Sequence, residues 1–540
     1  MTTSPVPASP VLASPVLAQT THTGVVITVF AVFVVGVVLI SLLDASQSDT
    51  PRRFFAGGRR LSSPRNGIAL FGDFISAATL LGTPGLIALA GFDGIPYLLG
   101  PIVAWAVILL LVAEPFHNAG QYTVGDVLAR YLRPRPVHMA MGIATLVISL
   151  FYLTAQLVGA GALAAPLLGI TGVPAQNFLM LFLGILMIIY VAISGMYGAT
   201  LVQCFKAAFL LVASVYLGLL VLGKFGWNPS HLLGVAAERS GVGETFLAPG
   251  ARSQGAGTDK LDALSLQLGA VLGAAGLPHL LLRLRAVPSP RSARRSVQWT
   301  AALTCVFCVT AGVLGFGAAG LLGPRTVVSS NASGNTATLL LGGSLGGSLL
   351  LTVMSCVAFV TILAVVAGIA LAAATSVAHD VYGAVIMKGR ATASQEVLVA
   401  RASVVVIGAG ATTIALFSSR LNVSFAAGLA FAVAASAILP SLLFGLYWRG
   451  FTTTGALWSV YGGLICSVSL AVLSPAVSGN PAALFPGMDF DVFPLKYPSI
   501  VSVPLAFLLG WLGSVMGKER THPATRSAFE LRMLVGSDSS

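Results

Sequence analysis

Charge is what this chain has least of. Only 9% of its 540 residues are Asp, Glu, Lys or Arg, while 56% are apolar. Soluble domains carry about 25% charged residues, so a water-soluble fold is excluded. Continuous apolar runs recur from residue 24 to residue 516, and the mean hydropathy is +0.92. The runs do not alternate polar with apolar, which excludes a membrane β-barrel. What remains is an all-α polytopic membrane protein whose core is the helix bundle itself.

Catalytic signatures are missing as well. There is no Walker loop, no HExxH zinc motif and no GxSxG elbow with plausible partners, which argues against ATP-driven transport by this chain and against an enzyme. Cysteine is scarce: Cys204, Cys305, Cys308, Cys356 and Cys466 all lie in apolar segments. Cys305 and Cys308 have a metal-like spacing, but no second pair or acidic cluster accompanies them, so they read as small core residues. Residues 1–23 lack the basic region of a signal peptide and read as a disordered extracellular tail.

Thirteen spans are expected, at roughly 24–43, 67–90, 95–116, 137–168, 177–198, 200–223, 263–285, 297–322, 346–377, 398–417, 424–447, 454–474 and 498–516. With the N-terminus outside, 22 of the 29 Lys and Arg residues fall in cytoplasmic loops and the tail, among them Lys206, Arg283 and Arg285. This asymmetry predicts an outside N-terminus and a cytoplasmic C-terminus in a multi-pass plasma-membrane protein. It also accounts for the net charge of +12, since basic loops sit against an anionic leaflet. Lipid, not nucleic acid, is the implied partner.

What the chain does have is an apolar segment that interrupts itself. Gly67–Gly91, GIALFGDFISAATLLGTPGLIALAG, carries Asp73 and the cluster Gly82-Thr83-Pro84-Gly85. Leu264–Arg283 repeats the pattern, with Gly273, Gly276 and Pro278. Paired interruptions in corresponding halves of a membrane protein point to the binding site of a secondary transporter. The expected division is residues 1–23 as tail, 24–66 as first helix and basic loop, and 67–223 as a first five-span repeat. Residues 224–262 form an outside loop, 263–447 a second, inverted repeat, 448–516 two added helices and 517–540 a cytoplasmic tail. The outside loop balances four basic against four acidic residues and reads either as a cap on the entrance or as a connector.

Unwinding a helix at mid-membrane frees carbonyls for a cation and amides for an anion. The break is expected at Gly82–Gly85, with Gly72 beside it. Asp73 is a costly residue at this depth, suited to attracting a cation, carrying a proton, or bonding within the structure. Ser76 and Thr79 share a helical face with it and offer hydroxyls to a carboxylate, or bonds back to the preceding turn. Gly82, Thr83 and Gly276 line the breaks as further substrate contacts. His279 reads as a proton relay or a packing residue, and Arg283 as a topology anchor. Glu114, Asp126 and Arg130 read as gating or ordinary surface pairs. Gln156, Gln203 and Lys206 read as structural.

Several stretches carry a family resemblance. They are GDFISAATLLG (Gly72–Gly82), AGFDGIPYLLG (Ala90–Gly100), LLVAEPFHNAGQYTVGDVLARY (Leu110–Tyr131), GMYGATLVQCFKAAFLL (Gly195–Leu211), GLPHLLLRL (Gly276–Leu284) and AFVTILAVVAGIALAAATSVAHDVYG (Ala358–Gly383). With these the chain resembles the sodium:solute symporters, and within them the acetate/monocarboxylate permeases. The resemblance implies a LeuT-type 5+5 inverted-repeat core and alternating access. It also implies cation-coupled uptake of acetate, propionate or pyruvate, with no cofactor beyond the coupling ion and function as a monomer. Proline, a sugar, or a sensory role are the alternatives. The family's main sodium site maps onto the carbonyls of Gly72 and Ile75 and onto the ninth span. There its two hydroxyl positions fall on Ala364 and Val365, and its carbonyl position on Thr361. A one-turn slip would bring in Thr361 or Ser355. Sodium and proton both stay open as coupling ion.

Overall fold

The computed structural model describes residues 61–119, 123–163, 173–250, 258–418, 421–479, 483–485, 487–517, 519 and 523–535, with isolated positions between 24 and 36. Every regular element among them is helical. The tail expected over 1–23, most of the first span and most of the loop up to residue 60 lie outside the described residues.

The bundle begins with α1 (Ser63–Phe74), a π-helical turn at Ala78–Gly82, and α2 (Thr83–Ala90). Next come α3 (Pro96–Val107), extended helically to Ala119, α4 (Pro134–Gly161) and α5 (Val173–Lys224). The second half opens with α6 (Thr258–Gly273) and α7 (Pro278–Arg283), then α8 (Pro290–Leu321) and α9 (Ala337–Thr375). It continues through α10 (Ala393–Phe417), α11 (Val423–Ala437), α12 (Leu439–Tyr447), α13 (Thr453–Val472) and α14 (Ser499–Met516) to α15 (Pro523–Val535). Proline recurs in the first turn of these helices, where its missing N–H has no intrahelical partner to lose.

Among the described residues, ten helices are long and apolar enough to cross a bilayer, and the bent pair Ser63–Phe74 with Ala78–Gly94 makes eleven. The remaining two of the thirteen expected spans are 24–43, mostly outside the described residues, and 177–198. The latter appears as the shorter apolar stretch Gln176–Ala192 at the start of α5.

Burial sorts the bundle. Of the most apolar part of Ala337–Ile386, and likewise of Val423–Tyr447, 83% is buried inside the protein, against 28% for Ala393–Phe417. Thus α9 and α11–α12 run through the centre, and α10 faces lipid. Helix α9 also bends back on itself. Gly346 leaves the helical region and Gly347 has φ +62°, a conformation open to glycine, and Gly342 then lies against Met354.

The two ends of the bundle are closed by different devices. At the end to which α2 leads, the segment 243–250 packs on the chain. Gly91, at φ +57°, meets the Phe246 carbonyl, and Gly250 N–H donates to Asp93 at 2.7 Å. At the opposite end α15 is clamped down. The Arg526 guanidinium lies 4.6 Å from the centre of the Tyr131 ring and donates to the Gly445 carbonyl at 2.8 Å. Glu530 pairs with Arg449 at 2.8 Å.

Candidate functional site

The first break is not where its glycines suggested. Gly82–Gly85 is helical, spanning the end of the π turn and the start of α2. The chain unwinds at Ile75, φ −73° and ψ 114°, and turns by 62°. Gly82 and Gly85 serve close packing instead. A Cβ on Gly82 would stand 2.6 Å from the Ser424 amide, and one on Gly85 2.1 Å from the Gly334 carbonyl. The second break does fall where expected, after Gly276, and it has the same backbone: Leu277 has φ −74° and ψ 117°.

Unwinding has a defined consequence for the backbone. In an unbroken helix the Ile75 carbonyl would accept from the Thr79 amide. Here that amide bonds the Ser76 carbonyl at 3.1 Å. The freed carbonyls of Gly72 and Ile75 both accept hydrogen bonds from the Lys206 ammonium, at 2.5 Å for Ile75. Lys206 is fully buried on α5. It does not belong to a basic cytoplasmic loop, where the charge count placed it.

Asp73 is also matched. It pairs with Arg283 Nε at the end of α7 and accepts from Gln203 Nε2, which donates to the Ala364 carbonyl at 2.6 Å as well. Arg283 donates to Thr200 Oγ1 at 3.1 Å and is 3% exposed. It is therefore a buried partner rather than the topology anchor expected from its position. Arg285, likewise counted among loop charges, is buried and donates to the His117 carbonyl.

The other expected contacts divide into two groups. Ser76 is buried, accepts from the Ala78 amide at 3.2 Å and lies against the Tyr152 hydroxyl. Thr79 is buried nearby. Ala77 N–H donates to Gln156 Oε1 at 3.1 Å, which ties α4 to the unwound turn. His279 follows the second break directly, its ring 5.5 Å from that of Tyr152. These residues converge. Thr83 points elsewhere: its hydroxyl bonds the Ala78 carbonyl and Ser424 Oγ, at the start of α11. The Gly82 carbonyl accepts from Asn422 at 3.4 Å, and Gly276 packs on the Ala434 carbonyl. On α9, Thr361 is buried with no hydrogen-bond partner for its hydroxyl among the described residues, while Ser355 bonds back to Leu351.

Residues that motif reasoning missed complete the site. Phe74 stacks edge-on with Trp105 at 5.0 Å and lies 6.3 Å from Phe431, which in turn lies 5.6 Å from Tyr152. Next to this apolar box, Trp105 Nε1, Gln156 Nε2 and His279 Nε2 are buried without partners among the described residues. Buried polar groups are nearly always bonded, so these unpaired nitrogens beside the two breaks are candidate ligand contacts. The polar residues of α4 and α5 carried a sequence signal, since charge and amides inside apolar spans are rare. The aromatic residues carried none.

A second cluster lies beyond the far end of α9. Thr123 Oγ1 and Ser376 Oγ donate to Asp380, at 2.7 and 2.5 Å, and His138 Nδ1 lies 2.7 Å from it. His379 Nε2 sits 3.0 Å from Asp126, whose other oxygen accepts from the Thr123 amide in a capping box. Asp126 is thus part of an inter-helix network. Arg130 bonds the Ala119 carbonyl, and Glu114 faces Arg294 at 3.7 Å.

A helix broken at a buried charged cluster in an all-helical membrane bundle invites comparison with known transporters. The sodium:solute symporter family model matches residues 54–463. The chain belongs to the sodium:solute symporter family. Its curated relatives include a monocarboxylic acid transporter of Corynebacterium glutamicum, 43% identical over 94% of both chains. An uncharacterised symporter of Bacillus subtilis, YwcA, is 40% identical over 92% of this chain and 95% of its own. Among solved structures, a Na+-coupled sialic acid symporter in a substrate-bound outward-open state has a similar fold. The TM-score is 0.70 at 14% identity, covering 92% of this chain and 98% of the other. The LeuT-type architecture holds for this symporter-family chain, and its family is one of transporters, not enzymes.

Proposed function

We propose that this protein carries short-chain monocarboxylates such as acetate, propionate or pyruvate into the cell together with a cation, sodium or proton, by alternating access. The observation that carries the reading is the charge balance at the first break. Two basic side chains, Lys206 and Arg283, are buried there with one carboxylate, Asp73. A surplus buried charge is unfavourable until it is paired, and a monoanion supplies the pair. The partnerless nitrogens of Trp105, Gln156 and His279 offer a carboxylate its hydrogen bonds. The apolar box of Phe74, Trp105, Phe431 and Tyr152 suits a short alkyl tail. Ser76 and Thr79 are the hydroxyl contacts in this reading. The name of the Corynebacterium relative points the same way.

In this reading residues 67–223 and 263–447 are the two inverted repeats, and the two breaks occupy equivalent places in them. The basic loops lie in the cytoplasm, the N-terminus is outside and the C-terminal helix α15 is cytoplasmic. The working unit in this reading is a monomer. The test is uptake of labelled acetate into proteoliposomes, with sodium and proton gradients imposed separately. Accumulation driven by either gradient, and competed by unlabelled two- to four-carbon acids, supports the reading. Accumulation driven by neither would sink it.

A further inference from the structure

We propose that the Lys206 ammonium is the built-in occupant of the carbonyl cation site at the first break, and that transport by this chain therefore has no sodium requirement. The inference deepens the symport reading and rests on it only for what is transported.

Three observations carry it. First, the two carbonyls that the family resemblance assigns to sodium, those of Gly72 and Ile75, both accept from Lys206 Nζ. An ammonium has three donors and no acceptor, so it matches freed carbonyls directly. The site is built for it. Lys206 is fully buried, and a Cβ on Gly72 would stand 2.7 Å from the Gln203 carbonyl, so α1 and α5 are in backbone contact at this level.

Second, the opposite wall offers little to a free ion. Hard cations need several oxygen ligands, yet the positions expected to carry hydroxyls are Ala364 and Val365. The Ala364 carbonyl already accepts from Gln203. Ser355 is bonded within its own helix, which leaves the Thr361 hydroxyl as the single unpartnered oxygen among these α9 positions in the described residues, fewer than a hard cation needs. The donor set as it stands does not fit a sodium ion. Third, the two departures agree with one another. A site that has gained a cation on a tether has no use for the hydroxyls that would have held a free one.

The test reads sodium on two independent channels. Labelled acetate uptake into proteoliposomes is compared in sodium and in choline medium, under an otherwise identical imposed gradient. Equal initial rates are expected. Stimulation by sodium of about tenfold or more, equivalent to 1.4 kcal/mol, overturns the proposal. Binding of radioactive sodium to the purified full chain in detergent is measured alongside and needs no substrate. No saturable binding is expected from the wild type, and saturable binding overturns the proposal. If acetate is not accumulated under any gradient, the monocarboxylate reading fails, while the binding result still decides the question of sodium. Lys206→Met, which keeps the length and removes the ammonium, should transport at least about tenfold more slowly in either medium, because two buried carbonyls lose their donor. A Lys206→Met protein that elutes as folded and transports at the wild-type rate overturns the assignment. If it does not fold, the wild-type sodium binding stands as the deciding measurement.

Discussion

Asp73, just before the first helix break, and Arg283, at the far end of the short helix that follows the second, form a buried ion pair that links the first half of the bundle to the second. Both residues are buried, and each has further ties: Asp73 to Gln203, Arg283 to Thr200. Removing one partner leaves the other charged and uncompensated. Arg283→Ala and Asp73→Ala should each lower stability by about 3–5 kcal/mol. The double variant should lose less than the sum, because the second change removes the stranded charge. Thermal unfolding in detergent measures all three. Additive losses would show that the two side chains do not act as a pair.

Glycine at position 72 is required by packing alone. Gly72→Ala would place a methyl 2.7 Å from the Gln203 carbonyl and 2.9 Å from its Oε1. Backbone cannot yield there, so α1 and α5 must part, and overpacking of this kind costs about 1–3 kcal/mol. Acetate uptake should fall with it, since the Lys206 bonds cross the same contact. Gly343→Ala, whose new methyl would meet only Leu351 at 3.8 Å, is the matched control. Its melting temperature and uptake should stay at or above wild type.

The unpaired donors should govern apparent affinity. Trp105→Phe keeps the ring against Phe74 and removes only the N–H. A lost hydrogen bond to a charged ligand is worth about 1.5–3 kcal/mol, so KM for acetate should rise by at least about tenfold with little change in melting temperature. A KM at the wild-type value would remove Trp105 from the site. Gln156→Leu should do both kinds of damage, since its Oε1 also holds the Ala77 amide.

The clamp on α15 should respond to acid. Glu530 is held below its ordinary range, first by its hydrogen bonds to Arg449 and next by Arg526. A carboxyl whose folded value is depressed stabilises the docked state above its unfolded value, 4.5. That contribution is lost as pH falls through the folded value. Protease cleavage within Pro523–Val535 should therefore rise on acidification below pH 4.5 in the wild type. Glu530→Gln should show the raised cleavage already at neutral pH and little change with acid. Equal pH profiles in the two proteins would rule the clamp out.

Much of this architecture was legible in the residues, because the bilayer permits so few alternatives. Long apolar runs between basic loops dictate helices, and nearly every described span lies within a few residues of its expected place. The paired interruptions flagged both broken segments, the second at its expected place after Gly276 and the first only approximately. What misled was treating glycine as the cause of unwinding. At Gly82 and Gly85 the missing side chain admits Ser424 and Gly334, while the chain opens at Ile75, a residue with no intrinsic preference for it. Lys206 and Arg283 misled in the same way. Near a span end, a lone basic residue reads as an anchor, and only the partner brought in from another helix reveals it as internal. The site aromatics, Trp105 and Phe431, look like any other ring in an apolar span until the fold assembles them.

The bonds from Lys206 to Gly72 and Ile75 also change how that site obeys mass action. A ligand on a short tether meets its site at an effective concentration set by the tether and not by the surrounding solution. Dilution cannot empty such a site and added salt cannot fill it further. On the proposed assignment, occupancy of that site is set by the fold and does not follow the sodium concentration around the cell.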